Sequence, residues 1–107
     1  MLFPGKGTII VNLDGRIAYA NTYFCNLMGI DFEKVKGMSC FDFVFPEDID
    51  QAKQWFEVNK RLEAPAFRFT LRRQDGSEVC VDVQGTAIRT PKGEACAITA
   101  IITAARD

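Results

Sequence analysis

Hydrophobic and polar residues alternate near the start of this 107-residue chain, which is typical of half-buried β-strands. The segments 8–13 (TIIVNL) and 16–20 (RIAYA) are separated by Asp14 and Gly15, a dipeptide that favours a hairpin turn. The sequence therefore predicts an opening β-hairpin. The residues expected to share its inner face are Ile9, Val11, Ile17 and Tyr19.

The same alternation continues over residues 67–73 (FRFTLRR) and 78–88 (EVCVDVQGTAI), and it determines the turn between them. A two-residue loop would place arginine against valine. A three-residue loop at 74–76 instead places apolar residues opposite apolar residues and basic residues opposite acidic ones. We therefore expect the three-residue loop, with Gly76 in a left-handed conformation and the apolar side chains buried. The opposed pairs are then Phe67–Val83, Arg68–Asp82, Phe69–Val81, Leu71–Val79 and Arg72–Glu78.

Between these two groups of strands the pattern becomes helical. A short helix is expected to begin after Asn21, a preferred N-cap, and to end at Gly29. A longer helix is expected to begin at Pro46, where proline and the acids that follow suit a helix N-terminus. A last, almost uncharged strand covers 95–105. This order predicts an α+β domain: a five-stranded antiparallel sheet with short helices and one longer helix packed on one face.

Length, composition and charge exclude several classes of protein. A chain of 107 residues, 48% hydrophobic and 25% charged, is expected to fold as a single domain over 1–107. Thirteen basic and fourteen acidic residues give a net charge of -1 with no basic block, which argues against a nucleic-acid or membrane-surface partner. No apolar run reaches the length of a membrane-spanning helix, and the start has no signal-peptide pattern.

The chain contains no histidine, so it has no histidine-based triad, no histidine-ligated haem and no phosphoaccepting histidine. Its four cysteines form no Cys-x-x-Cys pair, which argues against a thioredoxin-type or zinc-ribbon site. Free thiols without a secretory signal predict a reducing, cytoplasmic location.

Several short motifs occur together in an order typical of one family. They are residues 12–21 (NLDGRIAYAN), a helix ending at Gly29, Gly37 before a phenylalanine-rich stretch, Pro46-Glu47-Asp48, residues 73–77 (RQDGS), and Arg106-Asp107 at the start of a closing Asp-Ile-Thr signature. On these residues the chain resembles a PAS domain over nearly its whole length.

The resemblance implies a sensory or interaction module of a larger signalling protein, such as a sensor histidine kinase or a cyclic-dinucleotide enzyme. In that family, the helices and the sheet enclose a cavity for a small ligand, haem or flavin. The chain carries no kinase, cyclase or regulator motif, so it is not expected to be an enzyme. Any output domain is expected outside residues 1–107.

Two functions of different classes remain open at this stage. The first is a sensor of a small apolar molecule, and the second is a ligand-free module for dimerisation whose core is filled by its nine phenylalanines. For the sensor, the candidate pocket residues are Phe24, Leu27, Met28, Phe41 and Phe69.

A third and more distant possibility is a flavin-binding photoreceptor (LOV) domain. Cys40 lies at the same distance from Gly37 as the flavin-reactive cysteine of those relatives. The arginine and glutamine that follow it in the family motif are absent, and an acid, Asp42, stands among the residues that replace them. We therefore expect no cofactor and a colourless protein.

The last predicted strand is uncharged on both faces, so whichever face points outward leaves an apolar surface typical of an interface. We expect a homodimer that forms through the outer face of the sheet. Ile101 is the candidate contact residue on this strand, and Leu2 and Phe3 are candidates for packing across it.

Overall fold

The computed structural model describes residues 5–61 and 66–105. Leu2, Phe3 and the Arg106-Asp107 pair lie outside the described residues. The elements in chain order are β1 (Gly7–Asn12), β2 (Ile17–Ala20), α1 (Thr22–Met28), α2 (Phe32–Val35), 3₁₀ turns at Cys40–Phe43 and Pro46–Asp48, α3 (Ile49–Arg61), β3 (Phe67–Arg72), β4 (Glu78–Arg89) and β5 (Ala95–Ala104). The predicted α+β class is confirmed.

The five strands form one antiparallel sheet in the order β2–β1–β5–β4–β3. The last strand in sequence, β5, is therefore central, and β2 and β3 are the two edges. All helices lie between β2 and β3 in sequence, and α1 and α3 pack on the sheet. The inner face that they cover is apolar, and its buried residues include Ile9, Val11, Phe69, Val81, Val83, Ile98, Ala100 and Ile102.

The hairpin of β3 and β4 has the predicted register, with Phe69 opposite Val81 and Arg68 opposite Asp82. Gly76 has a φ of +89°, which is the left-handed conformation that a three-residue loop requires. On the outer face, Arg68 Nε donates to Asp82 Oδ1 at 3.0 Å, and this hydrogen bond lowers the pKa of the Asp82 carboxyl.

The hairpin of β1 and β2 departs from the regular alternation of faces that the sequence predicts. Ile10 opposes Tyr19 but Val11 opposes Ile17, so Ala18 is the extra residue of a β-bulge. A bulge turns the following side chain to the other face of the sheet. Ile17 is buried as predicted, whereas Tyr19 is 44% exposed and lies beside Phe32. The prediction that Tyr19 shares the inner face is therefore wrong.

Both predicted ends of α1 are confirmed, and side chains attach this helix to the sheet. The Oδ1 of Asn21 accepts hydrogen bonds from the backbone N–H of Phe24 and of Thr8, each at 3.0 Å. At the other end, the helix stops at Gly29. There Arg73 Nε donates to the carbonyl of Leu27 at 3.0 Å, so the β3–β4 loop holds the C-terminus of the helix.

The longer helix starts later than predicted. Pro46 opens a 3₁₀ turn over Pro46–Asp48, and regular α-helix begins at Ile49. Among residues 5–61 and 66–105, no helix combines the length and the apolar character that crossing a membrane requires.

Replacing Phe69 by alanine should lower the free energy of unfolding by about 3–5 kcal/mol, because a large buried side chain is removed from the core. Replacing its neighbour Arg68 by alanine removes an exposed side chain and its ion pair with Asp82, and should cost under about 1 kcal/mol. Urea unfolding of the two variants measures both values. Equal losses would contradict the assigned faces of β3.

Candidate functional site

A cavity of about 70 Å³ lies between the inner face of the sheet and the helices. Side chains of four strands form one wall, and the Cys40–Phe43 turn, α1 and α3 supply the other. A water molecule occupies about 30 Å³ in the liquid, whereas sites for drug-sized ligands measure about 300–1,000 Å³. The cavity therefore accepts only a molecule of a few heavy atoms.

Three of the five predicted pocket residues line this cavity, namely Phe24, Phe41 and Phe69. The other two do not. Met28 is one helical turn beyond Phe24, and at that point α1 has passed beneath the β3–β4 loop, where the N–H of Gln74 donates to the carbonyl of Met28 at 3.0 Å. Leu27 lies beside a separate surface groove, between the end of α1 and the β3–β4 loop. Both residues pack against the core away from the cavity.

Edge-to-face aromatic pairs set the shape of the cavity wall. The ring of Phe24 meets that of Phe43 at 5.7 Å, and Phe41 meets Phe56 at the same distance. Trp55 meets Phe69 at 6.2 Å with nearly perpendicular planes. Such pairs are favourable and rigid, so the cavity is bounded by packed rings.

Sequence reasoning did not select Trp55, although the structure places it in the cavity wall. The available signal was its helical spacing: Trp55 follows Ala52 by three residues, and both line the cavity from α3.

Cys40 also lies in the cavity wall. Burial raises the pKa of its thiol to about 12, from an ordinary value of 9.0, so the thiol is protonated at neutral pH.

These surroundings do not fit a flavin or a haem. The cavity of about 70 Å³ is far smaller than either ring system needs, since pockets for drug-sized ligands measure about 300–1,000 Å³. Phe41 follows Cys40 where the flavin-binding relatives carry arginine. The residues of this cavity therefore favour a smaller, uncharged occupant.

The remaining cysteines are free thiols outside the cavity. Cys25 is buried on α1, whereas Cys80 and Cys96 are exposed on β4 and β5. Within the part of the chain that the structure describes, no group of three metal-ligating side chains comes together.

On the opposite side of the sheet, Ile101 points outward from the central strand. Its neighbours across β1 and β4 are Thr8 and Gln84, while the adjacent residues Ala100 and Ile102 are buried on the inner face. Two exposed apolar side chains, Tyr19 and Ile88, lie on the same outer face. The structure thus places Ile101 on the outer face, which the sequence pattern left open, and its role as a dimer contact stays a prediction.

Raising the pH should destabilise the protein through Cys40. Its folded pKa of about 12 lies above the ordinary value of 9.0, so its contribution is fully present below pH 9 and is lost as the pH rises towards 12. The stability difference between the unmutated protein and Cys40→Ala should shrink by up to about 1.4 kcal/mol per pH unit above pH 9.

Urea unfolding at pH 8, 9, 10 and 11 measures this difference, and Cys80→Ala controls for the loss of an exposed thiol. A Cys40→Ala difference that stays constant up to pH 11 would contradict the buried environment of this thiol.

Comparison with known proteins gives one family. The sequence profile described as PAS domain matches residues 5–107. No curated protein sequence matches the chain.

Solved structures show the same fold. The PAS domain of a protein from Colwellia psychrerythraea superposes with a TM-score of 0.85 at 15% identity, over 94% of this chain and 86% of that chain. The PAS domain of an HTR-like protein from Haloarcula marismortui gives 0.77 at 22% identity, over 94% and 81%. A Light-Oxygen-Voltage domain studied with a flavin analogue gives 0.80 at 17% identity, over 95% and 78%.

Proposed function

This chain belongs to the PAS domain family, and on that basis we propose that it is the sensory module of a larger signalling protein, such as a sensor histidine kinase of a two-component system. PAS domains are generally non-catalytic signalling modules. In this proposal, any kinase or cyclase activity belongs to an output domain outside residues 1–107, and the module works in the cytoplasm.

The input of this sensor is a small apolar molecule that occupies the cavity. The observation that carries this proposal is the cavity itself, about 70 Å³ of space that is lined mostly by buried residues of the core. Protein interiors are close-packed, and a void of this size leaves its lining without contacts. A ligand would restore those contacts, and its presence would change the packing of α3 on the sheet.

A second candidate is a ligand-free interaction module. Its support is the small volume of the cavity and the three edge-to-face aromatic pairs that already fill most of the space. In that case, the core serves only to stabilise the fold, and the function lies on the outer face of the sheet.

In both cases the signal leaves through a homodimer formed by the outer face. Ile101 on the central strand is the proposed contact, with Tyr19 and Ile88 as exposed apolar neighbours. Leu2 and Phe3, which lie outside the described residues, complete the proposed interface.

Xenon tests whether the cavity accepts an apolar guest. Under xenon pressure, the methyl NMR signals of Ile98 and Ile102 should shift, because both side chains line the cavity. Ala52→Leu adds three carbon atoms to the cavity wall and should abolish these shifts. The matched control is Ala18→Leu on the exposed side of β2.

Unchanged methyl signals in the unmutated protein would favour the ligand-free module instead. Shifts that persist in Ala52→Leu would place the xenon outside this cavity. The dispersion of the methyl signals verifies that each variant is folded, since overpacking costs about 1–3 kcal/mol.

Dimerisation should be weak and sensitive to a charge at Ile101. In sedimentation equilibrium over a hundredfold concentration range, the average mass of the unmutated protein should rise, while Ile101→Glu should stay monomeric. Burying an unpaired carboxylate in an interface is unfavourable. Gln54→Glu adds the same charge on the exposed side of α3 and should dimerise normally. A monomer at every concentration for the unmutated chain would overturn the proposed interface.

A further inference from the structure

Two residues of the cavity wall are much smaller than the others. Ala100 stands on the inner face of β5 and Ala52 on the buried side of α3, and each contributes a single methyl group. The other wall residues carry valine, leucine, isoleucine, cysteine or aromatic side chains. Because protein interiors are close-packed, the position of an internal space follows from where side-chain volume is missing.

On the side of the sheet, Ala100 forms a depression among larger residues. Ile98 and Ile102 are two positions away along β5 and therefore point to the same face. Across the ladders, Ala100 is opposite Ile9 of β1 and Gly85 of β4. All three isoleucines line the cavity. The depression at Ala100 is thus bounded by isoleucine on three of its four sides.

The fourth side, at Gly85, is closed by α3. Gly85 has no side chain, but the space above it is already filled, since a Cβ atom on this residue would stand 2.6 Å from Asn59 Oδ1 and 2.8 Å from Trp55 Cζ2. Gly85 is accordingly not among the residues that line the cavity. The free space therefore borders Ala100, which lacks the side-chain volume that its isoleucine neighbours have.

The volume that is missing at Ala100 and the volume of the cavity agree. An isoleucine at this position would add three carbon atoms to the cavity wall. A cavity of about 150 Å³ with a similar aliphatic and aromatic lining holds benzene, which has six carbons. On that scale, the cavity beside Ala100, which measures about 70 Å³, holds roughly three carbons.

Among the residues that the structure describes, the cavity wall offers an occupant no strong hydrogen-bonding group. The indole N–H of Trp55 is covered by its neighbours and does not open onto the cavity. The thiol of Cys40 is protonated and is a weak donor. The strand backbone beside Ala100 is paired within the sheet. A hydroxyl or carbonyl group in this space would lose its hydrogen bonds to water without replacement, which is unfavourable.

We propose that the occupant is a hydrocarbon of about three carbons with no hydrogen-bonding group, and that Ala100 sets its size. The inference rests on the proposed sensing function and gives the ligand of that site its chemical class. The hydrocarbon lies between Ile98 and Ile102 and makes the dispersion contacts that an isoleucine at position 100 would make. A diatomic gas also enters but leaves part of the volume without contacts. Volume excludes larger molecules, and loss of hydration disfavours an alcohol of equal size.

Propane and ethanol are a matched pair of probes, because a methyl group in one stands where the other has a hydroxyl group. In NMR titrations of the unmutated protein under gas pressure, propane should shift the methyl signals of Ile98 and Ile102 saturably. With three heavy atoms, its dissociation constant is on the order of 10⁻³ M at its tightest. Ethanol should bind about tenfold more weakly or worse, because its hydroxyl group is buried without a partner. Benzene is twice as large and should give no saturable shift.

Ala100→Val adds two carbons to the wall and should weaken propane by about tenfold or more, because the space that propane needs is filled. Ala100→Cys adds one sulfur atom, strains the core less and should weaken propane in the same direction. Ala97→Val is the matched control: it makes the same change on the same strand at a residue that does not line the cavity, and should leave the affinity within about twofold. The dispersion of the methyl signals verifies that each variant is folded.

Equal affinities for propane and ethanol, or saturable binding of benzene, would overturn the assigned ligand class while the cavity remained a ligand site. An unchanged affinity for propane in the two Ala100 variants would overturn the role of this residue. Xenon shifts without propane shifts would overturn this inference alone. The absence of both would overturn the sensing function together with it.

Discussion

The fold depends on one topological constraint: the segment that carries the helices must cross the whole width of the sheet. It leaves the sheet at β2, returns at β3, and these two strands are opposite edges. With strands about 4.8 Å apart, the two edges are separated by roughly 19 Å. Every helix is therefore held over the inner face, and the side chains that meet there, such as Phe24 and Phe56, fill the core. The cavity is the space that the side chains of this crossing segment leave unfilled above the sheet.

Much of the sheet was predictable from sequence because alternation and charge agree there. Around Gly76, a shift of one residue would have opposed arginine to valine, so the register had one favourable solution. In the first hairpin, the residues around Ala18 give no sequence signal for a bulge, because a bulge depends on how the strand pairs with its partner and packs on the neighbouring segment. For that reason Ile17 was placed correctly and Tyr19 was not.

The candidate site was predictable where a single element determines the direction of a side chain. Phe69 follows from strand alternation and Phe24 from the position of the helix start. The position of Met28 depends on the direction in which α1 crosses the sheet, which no periodicity encodes. The burial of Asn59 on α3, away from the cavity lining, was missed for another reason. A polar residue in an amphipathic helix ordinarily faces water, and this side chain is buried because it packs against Gly85 of β4, which has no Cβ atom.

The central position of β5 has a consequence for the way the domain folds. Within residues 5–61 and 66–105, the two hairpins, β1–β2 and β3–β4, do not pair with each other, and only β5 joins them. A two-stranded hairpin alone is marginally stable in water, so neither hairpin is expected to be stable before it pairs with β5. Pairing of β5 with β1 brings together Ile9 and Ala100, which lie near opposite ends of the chain. The chain loses the conformational entropy of closing this long loop before the contacts between the two strands stabilise it. Folding is therefore expected to be cooperative and slow for a domain of this size, with the arrival of the last strand as its decisive event.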